Sequence, residues 1–109
     1  MRLFSRRKNQ DSTSTDVVPP AQRRAEVTAH FRDFVATRVG VEAYIEPPTP
    51  NDPTTMVLVA RTGEWTRRRI PDPKAAWALA RELEIPVYDV NLTGYPSSMR
   101  RWSAAQRKK

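Results

Sequence analysis

Trp65, Arg67 and Arg69 are the residues whose types and spacing best suit recognition chemistry in this sequence. They alternate along a short run, so a β-strand would project all three from one face, and Tyr44 of an earlier strand could join them. Planar rings and guanidinium groups together can stack nucleobases and hold phosphates. The alternative places Trp65 in the core, because a tryptophan beside a small core commonly serves packing. The sequence leaves both interpretations open.

Both ends of the chain carry concentrated positive charge. Residues 1 to 10 and 97 to 109 together hold nine basic residues and no acid, namely Arg2, Arg6, Arg7, Lys8, Arg100, Arg101, Arg107, Lys108 and Lys109. Residues 11 to 96 hold ten basic and twelve acidic residues, so the formal net charge of +7 comes from the ends. Such a field attracts nucleic acid, a ribonucleoprotein or an anionic membrane surface. The alternative is a pair of solubilising tails.

The sequence contains no recognisable catalytic or cofactor motif. Cysteine is absent and His30 is the single histidine, so a metal site would need several carboxylates around that one ring. Three isolated glycines exclude a glycine-rich phosphate loop. Glu42 and Glu46 share a strand face about 13 Å apart, too far to share a proton, and we interpret both as solvated. We predict a protein that is not an enzyme and has no cofactor or metal, with a small enzyme of unfamiliar site as an alternative.

The length of 109 residues indicates one domain. Residues 1 to 19 combine a basic arm with a polar linker, which predicts disorder. Residues 20 to 96 are predicted to form the domain, and residues 97 to 109 a short helix with a basic tail that frays. The sequence shows neither a long apolar segment nor a signal-like leader, so we expect no membrane span and a cytoplasmic location.

Hydrophobic periodicity predicts an α+β domain with the element order α-β-β-β-α-β and an optional C-terminal helix. The predicted helices cover residues 20 to 38 and 73 to 84, and the predicted strands cover residues 41 to 46, 55 to 60, 65 to 70 and 87 to 92. Both helices are expected on one face of a mixed, mostly antiparallel sheet, which makes a two-layer sandwich. The fourth strand should run parallel to the third if the helix between them is a crossover. We assign Trp77 and Trp102 to packing.

Arg68 constrains the position of the third strand. Strand alternation turns it away from Arg67 and Arg69 and toward the helices, where burying an unpaired guanidinium would cost several kcal/mol. We therefore predict that this strand lies at the sheet edge, so that Arg68 can extend into solvent. The alternative is that an acid such as Asp89 pairs with it.

Three sequence runs carry a resemblance to a known family: GEWTRRRIP at residues 63 to 71, IPVYDV at 85 to 90, and GYPSSMR at 94 to 100. Over roughly residues 40 to 102 the chain resembles a family of small uncharacterised actinobacterial proteins, some of them loosely labelled oxidoreductases. No cofactor motif or redox side chain in these runs supports that label. The order α-β-β-β-α is also similar to the double-stranded-RNA-binding domain, but only Lys74 stands where that fold has a lysine cluster.

Charge and fold together predict a small basic binding module that contacts nucleic acid or a ribonucleoprotein surface through its ends. A protein-interaction or regulatory adaptor, which would use the Trp/Arg hairpin around Trp65, is the alternative. The identity of the partner and the oligomeric state do not follow from the sequence.

Overall fold

A computed structural model describes residues 20 to 108, which form four helices and a four-stranded sheet. The helices are α1 (Pro20–Thr37), α2 (Pro73–Leu83), α3 (Val90–Thr93) and α4 (Ser97–Arg107). The strands are β1 (Glu42–Glu46), β2 (Thr55–Val59), β3 (Trp65–Arg69) and β4 (Val87–Asp89). The α+β class and the predicted element order are confirmed, and the optional C-terminal helix is present as α4. The predicted disorder of residues 1 to 19 lies outside the described residues.

The sheet is mixed, with the strand order β3-β2-β1-β4. β1, β2 and β3 form an antiparallel meander, whereas β4 pairs parallel to β1. β4 therefore has the same direction as β3, as expected for a crossover through α2, but the crossover passes both β2 and β1 and places β4 at the far edge. β4 is shorter than predicted because the Asp89 carboxylate accepts a hydrogen bond from the Asn91 amide at 2.8 Å and caps α3.

The first face of the sheet packs against α1 and α2. Alternation turns four apolar residues of the two central strands to this side, and none is more than 1% exposed: Ala43, Ile45, Met56 and Leu58. Phe31 and Phe34 of α1 cover them from above, beside the buried residues of α2. α2 begins where the sequence predicted, because the Asp72 side chain accepts a hydrogen bond from the Ala75 amide at 2.8 Å. This face holds the main core.

The second face carries a smaller cluster beneath α4. Tyr44, Val57 and Val59 are buried there against Met99 of α4. Gly63 permits this contact, because its φ is +97° and an added Cβ would lie 2.1 Å from the carbonyl oxygen of Ser98. α4 therefore adds a third layer to the predicted two-layer sandwich. Residues 97 to 107 form this helix, whereas the sequence predicted a short helix followed by a basic tail.

β3 lies at one edge of the sheet, as the argument from Arg68 required. Arg68 is exposed, and its Nη1 donates to the carbonyl oxygen of Arg67 at 2.7 Å. Asp89 belongs to β4 at the opposite edge and is not its partner. The edge prediction is confirmed, and extension into solvent is the way this arginine avoids burial.

Trp77 and Trp102 differ in their surroundings. Trp77 on α2 is 42% exposed, so its assignment to packing is wrong. Trp102 is half-buried, and its Cβ lies close enough to Gly63 that a larger residue there would force α4 to shift. Within residues 20 to 108, no helix has both the length and the apolar character needed to cross a membrane.

Candidate functional site

Strand register arranges the side chains of the second face in three rows. The first row holds Glu42, Val59 and Trp65; the second holds Tyr88, Tyr44, Val57 and Arg67; the third holds Glu46, Thr55 and Arg69. Trp65, Arg67 and Arg69 therefore share one face with Tyr44, as alternation requires. The contacts of α4 are with the first two rows, whereas the third borders an open cavity of about 430 Å³.

Trp65 is half-buried between β3 and α4. Its indole Nε1 donates to Ser103 Oγ at 2.9 Å, and its ring packs against the cluster beneath α4. The guanidinium carbon of Arg67 lies 5.1 Å from the centre of the same ring, within cation–π distance. These contacts favour the packing interpretation of Trp65, because they leave little of the ring free to stack a nucleobase.

Glu46 is the centre of a polar network in the third row. Arg67 donates to both of its carboxylate oxygens, through Nε at 2.8 Å and Nη2 at 3.0 Å. The hydroxyls of Thr55 and Tyr95 also donate to it. Burial by itself would raise the pKa of Glu46, but these hydrogen bonds, that of Arg67 above all, hold the pKa below its ordinary value. The prediction that Glu46 is solvated is wrong, and Arg67 is engaged by it rather than free.

The cations of α4 have a different environment from Arg67. The ion pairs within residues 20 to 108 are Arg32–Glu82, Arg38–Glu64 and Arg67–Glu46. None involves Arg69 or the four exposed cations of the last helix and its cap, which we call the α4 basic surface: Arg100, Arg101, Arg107 and Lys108. Arg100 and Arg107 stand three residues before and four residues after Ser103, so both lie along the flank of α4 next to Trp65.

The remaining predicted contact residues are Arg2, Arg6, Arg7, Lys8 and Lys109, which lie outside the described residues. The structure places Trp65 next to Arg67 and against α4, the helix that carries the C-terminal members of the predicted set, whereas Arg69 lies in the third row. The C-terminal members form one surface of a packed helix, which charge counting could not show. The signal in the sequence was the spacing of Met99, Trp102 and Ser103, which share the inner side of α4.

His30 contacts the hairpin from α1. One ring nitrogen, Nε2, lies 2.7 Å from the Thr66 hydroxyl oxygen. Burial first, and then the positive charge of Arg68, lower the pKa of His30. Among the described residues, no group of three or more His, Asp or Glu side chains could hold a metal ion.

A second cavity, of about 150 Å³, opens beside β4 on the second face. It is lined by Glu42, Tyr44, Tyr88, Thr93, Gly94, Tyr95 and Pro96, and we call it the tyrosine cavity. Tyr44 donates its hydroxyl hydrogen to one oxygen of Glu42 at 3.1 Å, and Tyr88 donates to the other at 3.5 Å. Burial, followed by the charge of Glu42, raises the pKa of Tyr44 to about 12, so that phenol stays neutral. Sequence reasoning missed this cluster because it requires the pairing of β1 with β4.

Comparison with known proteins gives no match among protein-family models, curated proteins or solved structures. The resemblance to actinobacterial proteins therefore stays a prediction. The similarity to the double-stranded-RNA-binding domain rests on element order alone.

Proposed function

We propose that this protein is a non-enzymatic binding module that contacts the phosphate backbone of nucleic acid, free or within a ribonucleoprotein, through the α4 basic surface. The observation that carries the proposal is the two-sided character of α4. Its inner side is fixed to the sheet by Met99 and by the contact of Ser103 with Trp65. Its outer side presents cations with no acidic partner among residues 20 to 108.

Rigid presentation is what distinguishes this helix from a charged tail. A helix anchored through Met99 and Ser103 restricts the backbone positions of its cations, so less conformational entropy is lost when phosphates bind than for an unstructured tail. Arg69 of β3 adds a further exposed cation on the same face. The basic residues at the start of the chain add further positive charge to the molecule, which favours association with a polyanion.

The geometry also favours one class of nucleic acid. Contacts to phosphates position a protein on the backbone without reading sequence, so we expect weak sequence preference. Trp65 is covered by α4 and engaged by Ser103, so the stacking that single-stranded nucleic acid requires is poorly provided. We therefore expect duplex or structured nucleic acid to bind better than an unstructured single strand.

The test is the affinity of the full chain for a labelled RNA duplex, measured by fluorescence anisotropy over a range of salt concentrations. The double variant Arg100→Ser with Arg107→Ser should lower affinity by about tenfold and reduce the salt slope by about two. The control, Arg24→Ser with Arg81→Ser, removes the same charge from exposed positions on α1 and α2 and should change affinity by about twofold at most.

Equal losses in the two double variants would show that net charge, and not the α4 basic surface, drives binding. Failure of the intact protein to bind at low salt would overturn the proposal.

In that case the adaptor function gains support from the open edge of β3. The Ala60 amide donates to the carbonyl oxygen of Glu64, and the Ile70 amide donates to that of Thr54. Hydrogen-bonded pairs alternate along an antiparallel ladder, so the amides of residues 65, 67 and 69 point away from β2. An acidic extended peptide could add a strand there.

A further inference from the structure

The tyrosine cavity combines aromatic rings with a carboxylate at a place that the proposed function does not use. Tyr44 and Tyr88 are neighbours on paired strands, with ring centres 5.4 Å apart and ring planes 31° apart. Tyr95 approaches from the segment between α3 and α4 and lines the same space. Three phenol rings on two elements and a connecting segment thus line one opening. Tyr44 is buried, so Tyr88 and Tyr95 are the rings with accessible surface, and the face of a phenol ring attracts cations.

Glu42 supplies a negative charge inside this ring of tyrosines. It is half-buried, and none of the ion pairs within residues 20 to 108 includes it, whereas Glu46 and Glu64 each pair with an arginine. Its hydrogen-bond partners within that range are the hydroxyls of Tyr44 and Tyr88. A half-buried carboxylate that has no paired cation can be stabilised by a positively charged ligand.

The size and hydrogen bonding of the cavity narrow the choice of cation. At about 150 Å³ it is well below the roughly 300 to 1,000 Å³ of drug-sized pockets, so it can take a head group of a few atoms. Each oxygen of Glu42 already accepts one tyrosine hydrogen bond, which leaves about two of the roughly four acceptor sites of the carboxylate for the three N–H groups of a primary ammonium. A methylated ammonium carries few or no N–H groups and needs only negative charge and π faces.

We propose that the tyrosine cavity binds a methylated ammonium group, carried either by a small quaternary amine or by a methylated lysine side chain. Tyr44 and Tyr88 form its floor, Tyr95 its wall, and Glu42 its counter-charge. Tyr95 is 36% exposed and an added Cβ at Gly94 would meet nothing within 4 Å, so the segment above the cavity has room for a ligand to enter. The proposal is independent of nucleic-acid binding.

The experiment is a titration of the full chain with choline, followed through the backbone amide signals of Thr93 and Gly94 in ¹⁵N–¹H spectra. The neutral isostere 3,3-dimethylbutan-1-ol has the same shape without the charge. We expect choline to bind about tenfold more tightly than this isostere, because the cation–π and carboxylate attractions act on the cation alone. A trimethyllysine amide and an unmethylated lysine amide complete the set of probes and distinguish the two sources of the group.

Two kinds of variant assign the effect to the cavity. Glu42→Gln keeps the shape of the side chain and should weaken choline binding by about tenfold. Tyr95→Leu removes a ring and should weaken binding by a similar factor. Tyr95→Phe keeps the ring but loses the hydroxyl contact with Glu46, so it should retain most of the binding that Tyr95→Leu loses. Dispersed spectra of each variant before titration show that it is folded.

Equal affinity for choline and its neutral isostere would overturn the proposal, because it would show an apolar pocket without cation recognition. Binding of unmethylated lysine as tight as that of trimethyllysine would overturn the requirement for methylation. The absence of any shift at Thr93 and Gly94, or unchanged affinity in Glu42→Gln, would show that the cluster of tyrosines is purely structural.

Discussion

The two faces of the sheet are built from the same strands but differ in chemistry. The first face is apolar throughout its centre and is closed by α1 and α2. The second face alternates acids, tyrosines and arginines with a few apolar residues, and α4 covers only part of it. Because successive residues of a strand point to opposite faces, one sequence can place an apolar core on one side and polar, charged side chains on the other.

The largest effect is expected from shortening a side chain on the first face. Leu58 is fully buried there, so Leu58→Ala should lower the free energy of unfolding by about 2 to 5 kcal/mol, through lost burial and a cavity. Urea denaturation measures the change. Leu92→Ala is the control, since Leu92 is 86% exposed and its truncation should change stability by about 0.5 kcal/mol or less. Similar losses in the two variants would contradict the assignment of the core.

A smaller effect is expected where α4 meets the second face. Gly63→Ala would bring a Cβ within 2.1 Å of the Ser98 carbonyl, so α4 must shift, and we expect a loss of about 1 to 3 kcal/mol. The near-ultraviolet circular dichroism of Trp65 and Trp102 should change with it. Gly94→Ala also introduces positive-φ strain but places its Cβ in open space, so it should cost about 1 to 3 kcal/mol and leave the tryptophan signal unchanged. An unaltered tryptophan signal in Gly63→Ala would show that α4 does not depend on this contact.

The smallest of the three effects concerns the pH dependence that the second face contributes. The folded-state pKa of Glu46 is lower than the ordinary value of 4.5, so its hydrogen bonds with Arg67 stabilise the fold fully above that value. This contribution is lost as the pH falls through the lower, folded-state pKa. Glu46→Gln should therefore cost about 1 kcal/mol at neutral pH and flatten the loss of stability below about pH 4.5. Urea denaturation at each pH measures this dependence. An equal loss of stability in acid for the parent and for Glu46→Gln would contradict the role assigned to Glu46.

The first face could be predicted from the sequence because its determinants are local. The apolar positions of β1 repeat every second residue, β2 is apolar on both faces, and Asp72 with Pro73 marks the start of α2. The edge position of β3 followed from one residue, since Arg68 could not be buried at low cost. Each of these arguments needs only neighbours along the chain.

The second face could not be predicted in the same way because its contacts join distant elements. Arg67 reaches Glu46 diagonally across β2, and Trp65 reaches Ser103 of α4. Both contacts depend on the strand register and on how α4 docks. The tyrosine cavity further depends on the crossover that places β4 beside β1, whereas a sequence pattern shows only that Tyr88 belongs to a strand.

The parallel pairing of β4 with β1 has a consequence for the order in which the fold closes and opens. β4 has three residues and pairs with β1 alone, and bringing Val87 to Ala43 closes a loop that contains β2, β3 and α2. Closing this loop costs conformational entropy, and the three-residue strand offers few hydrogen bonds in return. We therefore expect the β1–β4 pairing to form late in folding and to open early in local unfolding. Tyr88 belongs to β4, so a ligand that contacts both Tyr88 and Tyr44 would stabilise the pairing of β4 with β1. It would thereby slow amide hydrogen exchange across residues 87 to 89.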